Sequence, residues 1–171
     1  MAGKNVNKNR IFRFNRRIRG LTDYHQRLRL LKSGLTRLVV RRSNKNMTVQ
    51  FINYAENGDK ILTSAKSVDL TKLGFTLNTG NISAAYLTGY LAGKRALKAG
   101  VKDEVIVDLG LQRVFYGSRI FAAVKGALDA GLKVKVSDVV FPSEERINGE
   151  HLSGKDAQKV VEKVKGAIDK L

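Results

Sequence analysis

Residues 81–100 read NISAAYLTGYLAGKRALKAG, and this stretch decides the class of fold. Asn81 is a good helix cap, and Ile82, Ala85, Leu91, Ala92 and Ala96 recur at helical spacing before Gly100 stops the run. The spacing predicts a helix. Gly89 and Gly93 stand one turn apart, which lets such a helix approach a sheet closely. As a membrane-dimer signal that spacing needs a longer apolar span. Residues 82–99 are the most apolar part of the chain, yet Lys94 and Arg95 interrupt them before the roughly 18 residues that a membrane span requires.

Upstream the period is two. Residues 37–42 hold the apolar core Leu38-Val39-Val40. Residues 47–54 alternate, with Met47, Val49 and Phe51 on one face and Thr48, Gln50 and Ile52 on the other. Residues 61–65 follow. The connections Ser43-Asn44-Lys45-Asn46 and Glu56-Asn57-Gly58-Asp59 are short and rich in turn formers, which predicts an antiparallel meander. Downstream, residues 105–109 form a buried-type strand. Ser118 can cap a helix carrying Ile120, Phe121, Val124, Ala127 and Leu128 up to Gly131. A last helix starts at Ser153, with Asp156 at capping-box spacing. Its stripe of Val160, Val161, Val164, Ala167, Ile168 and Leu171 must bury against its own domain or a neighbouring protein. The order predicts an α/β domain: a mixed sheet, antiparallel meander plus a further strand, with packed helices in three layers. A basic N-terminal extension and a C-terminal helix flank it. Three segments follow: an arm over 1–20, the α/β domain over 21–152, and a helical extension over 153–171.

The charge is lopsided. Of the net +17, residues 1–45 hold +13, from fourteen bases against the single acid Asp23, and the remaining 126 residues hold only +4. Such a segment repels itself until a polyanion neutralises it. Arg outnumbers Lys ten to four there, and its planar fork suits phosphate. The arm has few apolar groups and is expected to stay disordered without its partner. Phe12 and Phe14 either stack on RNA bases or pack on protein surfaces. Residues 22–31 predict a basic helix capped by Thr22 or Asp23. Tyr24, Leu28 and Leu31 recur along it, and Arg27 and Arg29 fall on other faces, free to reach phosphate.

Chemistry is sparse. With no Cys there is neither a disulfide framework nor a thiolate metal site. His25 and His151 lack ligand-spaced partners, and no phosphate-cradling loop or nucleophile elbow is present. No apolar signal core follows the basic start. Thr79-Gly80-Asn81 either receives a phosphate on free N–H groups or serves as an ordinary loop and cap. Asp59, Asp108, Asp129 and Glu150 would be the acids of a metal-dependent nuclease, Asp108 foremost because it ends a strand. Such chemistry needs several carboxylates to converge. A general RNA-binding module is the other alternative.

The ordered motifs resemble those of universal large-subunit ribosomal protein eighteen, in its archaeal-type form. They include Thr22-Asp23-Tyr24 with residues 27–34, then 37–41 with Ser43-Asn44-Lys45, and Thr79-Gly80-Asn81 with residues 84–89. Asp108-Leu109-Gly110-Leu111 and Gly117-Ser118-Arg119 follow, then residues 121–132 and Phe141-Pro142 with residues 144–151. The likeness spans residues 10–152. Asn78 stands where the pattern has Asp, His25-Gln26 replaces a more basic pair, and the helix from Ser153 has no counterpart. The resemblance implies a three-layer α/β core and a non-enzymatic, cytoplasmic constituent of the large ribosomal subunit. It implies binding to 5S rRNA, attachment of that RNA in the central protuberance, and contact with the large rRNA and neighbouring proteins. No membrane, cofactor, metal or small-molecule substrate is expected. The RNA-binding residues expected are Arg10, Arg13, Arg16, Arg17, Arg19, Tyr24, Arg27, Arg29, Lys32, Arg41, Arg42, Lys45, Thr79, Asn81 and Arg119.

Overall fold

A computed structural model describes residues 13–152 and 157–171. The elements run α1 (Asn15–Ile18), α2 (Tyr24–Lys32), β1 (Thr36–Arg42), β2 (Met47–Asn53), β3 (Lys60–Lys66), α3 (Ile82–Lys98), β4 (Val105–Asp108), α4 (Arg119–Asp129), α5 (Glu144–Asn148) and α6 (Ala157–Asp169). Two 3₁₀ segments lie at Ser67–Leu73 and Asp138–Val140. The sheet has the order β3-β2-β1-β4. Its first three strands are the antiparallel meander, and β4 joins β1 in parallel after the crossover through α3. The mixed sheet expected from the sequence is therefore present.

Alternation sorts the two faces of the sheet. Leu38 and Val40 of β1 and Val49 and Phe51 of β2 are fully buried in the core against the helices, with Met47 beside them. Arg37, Val39 and Arg41 point the other way, as does Asp108, whose Cα pairs with that of Val39. That second face looks across a cleft of about 870 Å³ to α2, with Tyr24, Gln26, Arg27 and Leu30 on the far wall.

Asn81 caps α3 as expected, its side chain accepting the Ala84 N–H at 2.6 Å. Thirteen of the seventeen residues of α3 are buried, which takes cover on several sides. β2 and β3 supply one, α4 another and α6 a third. The glycines of α3 meet a different neighbour from the sheet expected. A Cβ on Gly89 would overlap the backbone carbonyl of Ala123 in α4, and one on Gly93 would lie 2.6 Å from the Ala130 Cβ. Gly126 answers from α4, because a Cβ there would overlap the Tyr86 carbonyl. Small residues on both helices bring two backbones into contact, and the sheet packs on the larger side chains instead. Ser118 precedes α4 at the cap position but makes no capping bond, and its Oγ is buried without a partner.

The stripe of α6 belongs to this domain. Ala157, Val161, Val164 and Ile168 are buried, and α3 is their main cover. A polar clasp fastens the end: the Tyr90 hydroxyl donates to Asp169 at 2.5 Å, Lys94 pairs with Asp169 at 2.9 Å, and Lys165 lies over the Tyr86 and Tyr90 rings. Tyr86 donates to Asp129 of α4 at 2.8 Å, and burial together with that carboxylate pushes its phenol well above the usual range. Leu171, expected in the stripe, is half exposed beyond the helix end. The Ser153–Asp156 capping pair lies outside the described residues.

Candidate RNA interface

Ahead of β1, the basic helices α1 and α2 are held by polar ties and bury no residue fully. Asp23, one of the two caps expected, accepts the N–H groups of His25 and Gln26 at 2.9 and 3.1 Å. The Gln26 N–H is the chief reason its carboxyl sits below the usual range. Ahead of it residues 15–18 form one helical turn, so this part of the arm has local structure where disorder was expected. Phe14 stacks on Tyr24 at a centroid distance of 5.3 Å yet stays 71% exposed, and Arg16 donates to the Thr22 hydroxyl at 3.0 Å. Phe12 and Arg10 lie outside the described residues.

Under α2 runs a chain of five alternating charges. Arg27 donates to both oxygens of Asp59, at 2.9 and 3.0 Å. Arg37 Nη2 contacts the same carboxylate at 2.7 Å, off the hydrogen-bond direction, while its Nη1 donates to Asp108 at 3.2 Å. Arg41 closes the chain at 2.9 Å on the other Asp108 oxygen and donates to the Asp108 backbone carbonyl at 2.7 Å. Arg37 is 2% exposed, and a buried guanidinium is tolerable only when paired. Three cations on two carboxylates achieve that. Arg27, expected to be free for phosphate, instead fastens α2 to the turn before β3. Asp108 has both oxygens taken by guanidinium groups, which accounts for a carboxylate at a strand end without catalysis.

The other acids considered for catalysis have separate duties: Asp59 serves Arg27 and Arg37, Asp129 accepts from Tyr86, and Glu150 is exposed. Among the described residues no three His, Asp or Glu side chains are grouped to hold a metal ion. Both histidines are exposed.

Partial burial pushes the Asp59 carboxyl up, but Arg27 and Arg37 outweigh it and hold the group below the usual range. A carboxyl depressed by folding stabilises the fold above its ordinary pKa of about 4, and the contribution is lost as pH falls through the depressed value. Acidification from pH 5 to 2 is therefore expected to release α2 before the sheet melts. Amide exchange of residues 24–32 measures it, and in Asp59→Asn the same amides should exchange fast already at pH 5. Equal protection in both proteins would show that the tie does not hold the helix.

Several cations keep their charge for a partner. Among the described residues Arg13, Arg17, Arg19, Arg29, Lys32, Arg42 and Lys45 are exposed and make no salt bridge. Arg29 and Lys32 project from the last turn of α2, while Arg42 and Lys45 stand at the β1–β2 turn. That turn is laced to the start of α3. The Thr79 hydroxyl donates to the Lys45 carbonyl at 2.9 Å and to Asn46 at 3.0 Å. Arg119 donates to the Gly80 carbonyl at 2.6 Å and to that of Asn44 at 3.4 Å. Thr79 and Arg119 thus shape the turn with their side chains, while Asn81 caps α3 and its Nδ2 keeps an unused donor.

Comparison with known proteins bears on this arrangement. A family model described as ribosomal large subunit proteins 60S L5 and 50S L18 matches residues 8–106, which hold α2, the meander and α3. The chain belongs to this family. The large ribosomal subunit protein uL18 of Methanothermobacter thermautotrophicus is 50% identical over 139 residues, 81% of this chain and 72% of that protein. The Halobacterium salinarum protein of the same name is 52% identical over 132 residues, 77% and 72% of the two chains. That of Methanoregula boonei is 46% identical over 162 residues and covers 92% of each. The family is one of ribosomal constituents rather than enzymes.

Of the charge chain, Arg37 was missed as a functional position, and Asp59 was considered only as a catalytic acid. The available signal was alternation, since Arg37 and Arg41 share a strand face with Val39, opposite the buried Leu38 and Val40.

Proposed function

We propose that this chain, a structural constituent of the large ribosomal subunit, binds 5S rRNA and attaches it to the large rRNA in the central protuberance, beside neighbouring ribosomal proteins. The observation carrying this reading is the division among cations. The inner ones, Arg27, Arg37 and Arg41, are consumed by Asp59 and Asp108, while Arg29, Lys32, Arg42 and Lys45 remain exposed and unpaired. The paired set holds α2 at the sheet, so the unpaired set comes to the RNA with little left to order. Arg13, Arg16, Arg17 and Arg19 extend the same charge along the arm, with Arg10 beyond them, and Tyr24 supplies a ring at its root. Thr79 and Arg119 support the β1–β2 turn from behind, and Asn81 starts α3 next to them. Each phosphate neutralised releases counterions, which gives affinity and steep salt dependence.

Changing Arg29, Lys32, Arg42 and Lys45 together to Gln tests it. Four lost phosphate contacts should flatten the slope of log affinity against log salt by about 3. Deleting residues 1–20 should flatten it again without unfolding the domain. The protein should prefer 5S rRNA over transfer RNA and duplex DNA at physiological salt, and stay with large subunits through a high-salt wash. Equal affinity for the three nucleic acids would replace this reading with that of a general RNA-binding module.

A further inference from the structure

Large apolar side chains stand out of the loop between β4 and α4. Leu111, Val114, Phe115 and Tyr116 are 54–75% exposed, and Val139 beside them is 76% exposed. The Gly117 N–H donates to the Val140 carbonyl at 3.0 Å and joins the two segments. Clustered apolar groups on a surface mark a contact. The charge around them says with what. Residues 109–119 include Arg113 and Arg119 and no acid, and the adjoining turn brings one, Asp138. Both loop ends are tied to the basic β1–β2 hairpin. Arg41 donates to the Asp108 carbonyl at 2.7 Å beside Gly110, and Arg119 donates to Asn44 at 3.4 Å. The loop that carries the rings is therefore anchored at both ends to the hairpin that bears Arg42 and Lys45.

We propose that residues 111–116 are a stacking platform for unpaired nucleotides of ribosomal RNA, separate from the contacts of α2 and the arm. An apolar protein partner would leave Arg42, Lys45 and Arg113 desolvated without counter-charge, which is costly. A single strand satisfies both features at once: its phosphates meet the cations and its bases meet Phe115 and Tyr116. A duplex keeps its bases stacked internally and cannot use the rings. The proposal rests on the reading that the chain binds ribosomal RNA.

The chain has no Trp, so Tyr116→Trp gives a unique fluorescent reporter in the full-length protein. A single-stranded oligoadenylate, whose bases are unpaired, should quench it, and an RNA duplex of equal length should not. Phe115→Ala with Tyr116→Ala should weaken oligoadenylate binding roughly tenfold or more. It should leave the salt slope and the thermal melt unchanged, while Arg113→Gln flattens the slope. Absent quenching, or equal loss for duplex and single strand, overturns the platform. So does full RNA affinity combined with loss from large subunits, which would point to a protein partner. The 5S reading fails on a different result, namely no preference for 5S rRNA over transfer RNA, and reporter quenching does not depend on that preference.

Discussion

Gly89→Ala is expected to destabilise the domain by about 3 kcal/mol or more, at the upper end of the cost of overpacking a core. The added Cβ would overlap the Ala123 carbonyl, a backbone atom that no rotamer change can move aside. α3 and α4 would have to separate, and α3 also carries contacts to β2, β3 and α6, so the shift spreads. For a domain of this length, a loss of that size lowers the melting temperature by roughly 6–12 °C. Gly126→Ala should act similarly, because its Cβ would overlap the Tyr86 carbonyl from the opposite side. Gly166→Ala in α6 is the control: nothing lies within 4 Å of its Cβ, and helix propensity should raise stability by about 0.5–1 kcal/mol. Urea denaturation of the three variants checks the set. A Gly89→Ala protein within 1 kcal/mol of the parent would mean that the two helices are not held at backbone contact.

That interlock shows how far the residues alone reach. Gly89 and Gly93 are legible as a small face on a helix, but periodicity reports which face is small and not which element meets it. Distant Gly126 is what turns the pair toward α4. The meander was legible because alternation of period two leaves one burial solution, whereas the stripe of α6 showed that one face is buried and not that α3 is its cover. α2 was legible as a helix, but its attachment was not. Tyr24, Leu28 and Leu31 suggest an apolar seam, yet Leu28 is half exposed and the helix buries no residue. Its tether is ionic. Within a run of bases each Arg resembles a phosphate ligand, and only the partners Asp59 and Asp108, 32 and 71 residues away from Arg27 and Arg37, separate the structural cations from the free ones. A local reading has no access to such pairings.

The second large effect follows from those partners. Asp108→Asn keeps the size of the side chain and removes the charge that both Arg37 and Arg41 face. Arg41 can turn to solvent, whereas Arg37, 2% exposed, is left with Asp59 alone, in contact off the hydrogen-bond direction. Breaking a buried pair by removing one partner costs about 3–5 kcal/mol, because the other charge stays desolvated. The loss should be visible as a lower urea midpoint at unchanged slope. If Asp108 acts through Arg37, then Arg37→Met combined with Asp108→Asn should recover much of the stability, since apolar replacement of a buried pair is often neutral. Additive losses in the double variant would refute the pairing as the source of the effect. RNA binding separates the remaining possibility. Freed Arg41 adds a cation beside Arg42, so the folded fraction of Asp108→Asn should bind 5S rRNA at least as tightly as the parent. A fall in affinity without unfolding would mean that Asp108 positions the RNA-facing side of β1, and that the inner and outer cations are not independent.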